Sequence, residues 1–272
     1  LGCSRFIYNQ MLAERIEVYE KLKDDKRALY EYKYKTEKQY KEEYEWLKEV
    51  DSIALQQARM NLSMAYQNFF KSLSGKRKGK SGFPNFKKKK SGSSYTTTMV
   101  NNNVAINFDT QEVKLPKIGK VKFRDQRTSF DGVIKSATVS RTATGKYFVS
   151  LLFEQEFEYK GVMIDKSLKT KTIGLDMSLD KLFVDDNGSS PAYERLYRKH
   201  EKKLRMLQRR VSKKKLGSNN RKKAQHRVNV IHEKITNKRK DFTQKLSTQI
   251  VKENTVIVVE HLSFKAMSQA LK

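Results

Sequence analysis

The first 73 residues carry apolar side chains at a helical spacing. Apolar positions recur every three to four residues from Ser4 to Leu73, and no proline or glycine interrupts the stretch. This spacing is typical of amphipathic helices. Asp51 and Ser52 precede the apolar stripe that begins at Ile53, and their side-chain oxygens can accept hydrogen bonds from the free amides at a helix start. The segment is therefore predicted to be helical, with an ordinary core.

From about Tyr95 to Tyr159 the period of the apolar residues changes to two. One face of a strand is formed by Val104, Ile106 and Phe108, and a hairpin is predicted from Ile134 to Phe153 with its turn at Thr144-Gly145. Several short strands with little helix between them are typical of a small β-barrel.

The last hundred residues combine strands with two long helices. A strand is predicted over Thr172–Asp176, and a second over Lys181–Asp185 returns through Ser178-Leu179 and is closed by Asn187-Gly188. Helices from about Tyr193 to Lys214 and from about Asn220 to Asn254, broken at Leu216-Gly217-Ser218, predict an antiparallel hairpin. The run Val256–Glu260 is apolar on both faces, which predicts a central, buried strand.

The net charge of the chain indicates what kind of partner it binds. The chain has 58 Lys and Arg against 30 Asp and Glu, a net charge of +28. Such self-repulsion implies a polyanionic partner, and nucleic acid is favoured over an anionic membrane because the basic stretches lack a continuous apolar face. No apolar run approaches the length of a membrane span. The single cysteine, Cys3, cannot form an internal disulfide, which fits a reducing cytosol.

Two segments concentrate the positive charge. Residues 75–90 contain eight Lys or Arg and no acid, and residues 198–227 contain 14 against the single acid Glu201. The alternative for such runs is a solvated surface, but the excess in the helical hairpin favours contact with phosphates. The residues predicted to bind nucleic acid are Lys76, Arg77, Lys78, Lys87, Lys88, Arg209, Arg210, Lys213, Lys214, Lys215, Arg221 and Lys222.

Two acidic residues each stand at the end of a strand whose apolar pattern predicts burial. Asp176 ends Ile173-Gly174-Leu175-Asp176, and Glu260 ends the final apolar run. A carboxylate inside a β core is costly unless it is paired or binds a metal, so the pair predicts a site for Mg²⁺ or Mn²⁺. The alternative is that both are exposed strand-end residues. Asp180, Asp185 and Asp186 occupy turn positions and are predicted to lie at the surface.

Other kinds of site have little support. The four histidines are not clustered in the sequence, and with only one cysteine the chain lacks the ligands of a typical zinc site. The sequence contains no glycine-rich phosphate loop and no nucleophile elbow, which disfavours ATPases and serine hydrolases.

Several motifs resemble those of the TnpB family of insertion sequences, whose nuclease domain is shared by type V CRISPR effectors. "IGLDMSLDKLFVDDNG" is similar to the first RuvC motif of that family, "VIVVEHLSFKAM" to the second, and residues 204–247 to its central signature. The earlier matches are "LGCSRFIYNQMLAERI", "ALQQARMNLSMAYQNFF", "GFPNFKKK" and "NNNVAI". The resemblance therefore extends through nearly the whole chain.

The resemblance implies an α+β multidomain fold. A helical recognition domain with a basic loop (residues 1–90) would be inserted in a wedge-like β-barrel (91–170). An RNase H-like RuvC α/β domain with the long helical hairpin (171–272) would follow. The implied function is an RNA-guided DNA endonuclease that binds a guide RNA from the transposon end, recognises a short motif beside the target and hydrolyses double-stranded DNA. The implied location is the bacterial cytoplasm, at the nucleoid.

The resemblance also assigns residues. It makes Asp176 and Glu260 the first two catalytic, metal-binding carboxylates of a two-metal site, and it puts Gln56 and Asn101 at positions similar to those that read the target-adjacent motif. The third catalytic Asp and a four-cysteine ribbon holding Zn²⁺ are expected after Met267, and the first barrel strand before Leu1.

Two alternatives to a working nuclease remain open at this point. One is a nuclease-deficient RNA-guided DNA-binding protein, either a repressor or a truncated relic, and retention of both Asp176 and Glu260 disfavours it. The other is a DNA-joining transposase, which a RuvC-type site beside a basic channel also disfavours.

Overall fold

The computed structural model describes residues 1–89, 93–156, 158, 171–177 and 181–260. The chain divides into two compact units, residues 1–158 and 159–272. Within the described part, no helix is both long enough and apolar enough to cross a bilayer. The predicted Ser178-Leu179 turn and Asp180 lie outside the described residues.

Helices form the first part of the first unit. They are α1 (Gly2–Leu22), α2 (Lys26–Glu31), α3 (Glu37–Glu43), a 3₁₀ turn (Glu45–Glu49) and α4 (Ser52–Leu73). As predicted, Asp51 starts α4, and its Oδ1 accepts a hydrogen bond from the Ile53 amide at 3.1 Å. The core between α1 and α4 contains fully buried aliphatic residues, namely Ile7, Leu12, Leu47, Leu55 and Leu62.

The basic segment after α4 is anchored to these helices. The Asn9 side chain bonds the backbone of Lys87 twice, accepting from its amide at 2.8 Å and donating to its carbonyl at 3.0 Å. The Ser81 amide donates to Ser72 Oγ at 2.9 Å, and the ring of Phe83 contacts Tyr66 and Phe69 edge-on. The far end of this segment therefore has a defined path along α1.

Two three-stranded antiparallel sheets complete the first unit. One has the order β1-β5-β6 and the other β2-β3-β4, and α4 packs on β1. The strands are β1 (Ser93–Thr98), β2 (Ala105–Asn107), β3 (Glu112–Leu115), β4 (Gly119–Lys122), β5 (Val133–Arg141) and β6 (Tyr147–Glu154). Their shared core includes Val104, Val113, Leu115, Ile134 and Ala137.

The described strands do not close into the predicted barrel. The β2-β3-β4 sheet is built from local hairpins, whereas β1 pairs with the distant β5, and among the described residues no ladder joins one sheet to the other. Closure requires a ladder of that kind, which alternating polarity within single strands does not specify. The α+β class is confirmed, whereas the wedge-like barrel and the division at residues 90 and 170 stay predictions.

The second unit contains a small sheet and the helical hairpin. The sheet has the order β8-β7-β9, from β7 (Thr172–Asp176), β8 (Val184–Asp185) and β9 (Val256–Val259). The hairpin is α5 (Leu196–Ser212) and α6 (Asn219–Glu253). Both helices start and end within about three residues of their predicted bounds.

The prediction for the last strand was wrong in one respect. In the described sheet β9 pairs only with β7, so it lies at the edge, and Val258 and Val259 are 55% and 62% exposed. Apolar side chains on both faces of a strand favour burial, but they do not specify which elements pack against it.

Candidate functional site

Asp176 and Glu260 lie at the same edge of the second unit's sheet. Strands β7 and β9 are parallel, and their register pairs Leu175 with Val259. Asp176 follows Leu175 and Glu260 follows Val259, so both residues lie at the same end of two paired strands, which are about 4.8 Å apart. The order of the strands thus brings together two carboxylates that are 84 residues apart in the sequence.

Both carboxylates are exposed, and among the described residues neither has a salt-bridge partner. Two carboxylates at one end of the sheet, without an ion-pair partner in the described part of the chain, offer the oxygen ligands that a hard divalent cation such as Mg²⁺ or Mn²⁺ prefers. The residues therefore fit the expected metal chemistry. The strand-end location also agrees with the simpler alternative, in which both are solvated surface residues.

The neighbouring residues Asp185 and Asp186 form hydrogen bonds with the local backbone. Asp185 Oδ1 accepts hydrogen bonds from the amides of Asn187 at 3.1 Å and Ser189 at 2.7 Å, which closes the turn at Gly188. The Asp186 amide donates to the Gly174 carbonyl at 3.2 Å, so this residue lies against β7. The predicted turn at Asn187-Gly188 is confirmed, and Asp185 stabilises it.

The helical hairpin presents most of its cations to solvent. Buried Leu204, Leu207 and Val211 of α5 pack with Val228, Ile231 and Ile235 of α6. The predicted phosphate-binding residues on the outside of this seam are all exposed, namely Arg209, Arg210, Lys213, Lys214, Lys215 and Lys222. Three of them, Lys213–Lys215, occupy the tip between the helices and form the basic tip.

Arg221 differs from the other predicted phosphate-binding residues. It is half-buried, and its Nη1 donates to the carbonyls of Val211 at 2.8 Å and Lys214 at 3.0 Å. Both carbonyls lie at the end of α5, where the i to i+4 pattern of helical hydrogen bonds stops, and the Val211 carbonyl also accepts from the Lys214 amide at 3.1 Å. Ser218 completes the turn, since its Oγ donates to the Lys215 carbonyl and accepts from the Arg221 amide. Arg221 therefore holds the basic tip in shape.

Lys87 in the basic loop is also engaged by the protein itself. Besides its backbone bonds to Asn9, its ammonium lies 4.0 Å from the ring centroid of Tyr8. Although the residue as a whole is exposed, burial of the ammonium lowers the pKa of Lys87. The remaining predicted loop residues, Lys76, Arg77, Lys78 and Lys88, are exposed.

The two predicted motif readers lie in the first unit. Gln56 is exposed on α4, and Asn101 is exposed in the turn after β1 with a φ of 50°. A cleft of about 440 Å³ opens between the start of α1, α4 and β1. Apart from Lys87, the sequence did not point to its polar lining, which includes Arg5, Gln57, Asn61, Asn85, Ser94 and Thr96.

A second feature that the sequence did not reveal is an aromatic cleft between the two sheets of the first unit. It has a volume of about 260 Å³ and includes four phenylalanines and the ion pair Asp125–Arg127. Arg127 Nη2 lies 2.6 Å from Asp125 Oδ2, and this pairing lowers the pKa of Asp125 to about 2. The phenylalanines come from separate segments, so only the fold brings them together.

Comparison with known proteins identifies a family. Residues 154–271 match the OrfB_IS605 family, described as "Probable transposase", and residues 1–24 match its helix-turn-helix domain. The chain is 31% identical over 275 residues to the protein of Escherichia coli (strain K12) named "Putative RNA-guided DNA endonuclease InsQ". It is also 31% identical over 268 residues to a Streptomyces pristinaespiralis protein named "Putative RNA-guided DNA endonuclease".

These alignments cover almost all of the chain but less of the relatives. They include 99% and 97% of the chain, which spans 63% and 62% of the lengths of the two relatives. The matches extend over both the helical start and the carboxylate-bearing strands that the sequence motifs singled out. The chain belongs to the OrfB_IS605 family, and its relatives are of the TnpB type.

Proposed function

We propose that the protein is an RNA-guided DNA endonuclease of an insertion sequence, with Asp176 and Glu260 in its active site. The observation that carries the proposal is the shared edge of these two carboxylates, at the ends of the parallel strands β7 and β9. The relatives' names support the general kind of activity. The RuvC type of nuclease domain and the wedge-like barrel are parts of the same proposal.

The two carboxylates have a defined role in this scheme. Asp176 and Glu260 would hold Mg²⁺ or Mn²⁺ at the sheet edge through their oxygens. When bound, a pair of such ions supplies an activated water and stabilises the leaving oxygen of a phosphodiester. Because both side chains are exposed and β7 and β9 fix their separation, the edge can receive a phosphate backbone.

The helical hairpin is the proposed phosphate-binding element. It separates β8 from β9 in the sequence, and its basic tip carries three consecutive lysines. In an RNA-guided enzyme, base pairing reads the sequence while the protein tracks backbone phosphates and the shape of the helix. We assign the basic tip to phosphates of the guide RNA or of its duplex with the target strand. Gln56 and Asn101 remain proposed readers of the target-adjacent motif.

The salt dependence of RNA binding tests this assignment. The variant Lys213→Ala/Lys214→Ala/Lys215→Ala should bind the transposon-end RNA more weakly. The plot of log affinity against log salt concentration should become shallower. The magnitude of its slope should decrease by roughly 0.7 for each phosphate that the variant no longer neutralises. Binding is measured by filter retention across a salt series.

A matched control removes the same charge elsewhere. Lys21, Lys23 and Lys48 each pair with a glutamate of their own helix or turn, so replacing all three with alanine also changes the net charge by three. This control should keep the parent slope within error. If the magnitude of the slope decreases equally in both variants, only net charge matters. If the slope of the tip variant is unchanged, the basic tip does not contact RNA phosphates.

A further inference from the structure

The aromatic cleft of the first unit is built from distant parts of the chain. Its rings come from the residue after β2 (Phe108), the residue after β4 (Phe123), the loop that follows (Phe130) and β6 (Phe153). Phe130 and Phe153 stack with centroids 4.1 Å apart, and Phe108 contacts both Phe123 and Phe130 edge-on. All four rings are half-buried, so one side of the group stays open to solvent.

Gly132 fixes the position of Phe130 in this cleft. Its φ of 123° is a conformation that other residues rarely adopt, and a Cβ at this position would lie 2.6 Å from the Glu154 carbonyl oxygen. The chain can therefore turn back at Gly132 and hold Phe130 against Phe153. The half-open ring group is a defined element of the fold.

One side of the cleft is charged. Asp125 and Arg127 line it, and Arg127 Nε and Nη2 both donate to the Asp125 carboxylate. Asp125 also borders a second, more open recess of about 740 Å³, lined by Gln111, Arg124 and Gln126. An apolar, ring-lined space thus adjoins a polar one that contains Arg124, with Asp125 at the boundary.

This division matches the chemistry of one nucleotide. At about 260 Å³ the aromatic cleft is slightly smaller than the roughly 300–1,000 Å³ of typical small-molecule pockets, so it suits a single flat ring system. Aromatic side chains stack on any base, and nearby cations attract its phosphate. From Lys120 to Asp131 the chain has four Lys or Arg and two Asp, so the surroundings favour an anionic ligand.

We propose that this cleft receives one unstacked nucleobase of the bound RNA, with the attached ribose and phosphate in the recess beside Arg124. The inference rests on the proposed function insofar as RNA is the partner, but it assigns a separate site. Arg127 and Asp125 offer donors and an acceptor to the edge of the base. The other occupant that an apolar lining could accept is a protein segment laid across the rings, and the experiment separates the two.

The test is ultraviolet crosslinking of the protein co-expressed with its RNA, followed by mass spectrometry of nucleotide-bearing peptides. The parent protein should yield an adduct on the peptide that contains Phe123 or Phe130. Phe130→Leu keeps an apolar side chain but removes the ring, and it should lower that adduct several-fold. Phe130→Ala should weaken RNA binding about five-fold or more, the range expected for losing one base–aromatic stack.

Two further variants keep the result interpretable. Phe148→Leu changes a 54% exposed ring on β6 that does not line the cleft, and it should leave the adduct unchanged. Arg127→Ala alters a side chain that is 73% exposed, so the fold should tolerate it, and it should also lower the adduct.

The outcomes distinguish this inference from the proposed function. If RNA co-purifies but crosslinks only elsewhere, and Phe130→Leu behaves like Phe148→Leu, the base site is wrong while the proposed function stands. If Phe130→Leu lowers thermal stability with no change in RNA binding or adduct, the cleft holds protein, which also overturns the inference. If no RNA accompanies the parent protein, both proposals fail.

Discussion

Arg221, which the sequence predicts to bind phosphate, bonds the protein's own backbone in the structure. Its guanidinium bonds two carbonyls at the end of α5, and its own amide is capped by Ser218. The lysines of the basic tip are therefore presented by a turn that Arg221 closes. A run of positive charge in a sequence does not separate such a residue from its exposed neighbours, because partners up to ten residues away decide its role.

We expect Arg221→Ala to destabilise the protein. The variant loses two hydrogen bonds from a charged donor, each of which contributes about 1.5–3 kcal/mol, and it leaves carbonyls at the end of α5 without that donor. A decrease of at least about 1.5 kcal/mol in the free energy of unfolding, measured with urea, is the expected result.

Lys222 provides the control for this prediction because it is the adjacent residue of α6 and is exposed. Lys222→Ala should change the free energy of unfolding by less than about 0.5 kcal/mol. Similar stabilities for the two variants would contradict the role assigned to Arg221.

At the scale of elements, the hairpin was predictable and the sheets were less so. The stripe of Leu204, Leu207 and Val211 repeats with the period of a helix, and Leu216-Gly217-Ser218 breaks it, so sequence and structure agree closely. Strand pairing depends on partners far apart in the chain. For this reason the edge position of β9 and the lack of a ladder between the first unit's two sheets, as described, did not follow from alternation.

The hairpin seam predicts a large difference between two neighbouring apolar residues of α5. Leu204 is 2% exposed whereas Met206 is 43% exposed. Leu204→Ala should lower the free energy of unfolding by about 2–5 kcal/mol, since it leaves a cavity between the helices. Met206→Ala should have a much smaller effect. Urea unfolding monitored by circular dichroism measures both, and equal decreases would contradict the packing of α5 on α6.

At the scale of the whole molecule, charge and motif were sufficient to predict the family. The net charge of +28 indicated a polyanion, and the comparisons confirmed the TnpB-type assignment. The aromatic cleft and the polar cleft beside α4 could not be predicted in this way. Their linings come from many separate segments, and no local pattern of residues marks them before the chain folds.

The two carboxylates connect the residue scale to that of the whole molecule. Each was identified as the last residue of an apolar run, and the parallel pairing of β7 and β9 brings both to the same end of the sheet. An active site at this edge requires that the pair support cleavage as well as metal binding. A nuclease-deficient, RNA-guided binding protein would differ in that respect.

The most direct measurement is cleavage of a plasmid that carries a guide-matched target beside a randomised motif. The protein, expressed from its complete reading frame with its transposon-end RNA, is incubated with Mg²⁺. We predict linear product enriched for one adjacent motif, abolished by Asp176→Ala and by Glu260→Ala with RNA binding intact, and retained by Asp241→Ala, a change at an exposed carboxylate on α6. Cutting that persists in the first two variants would contradict the account, and target binding without any cutting would identify the binding protein instead.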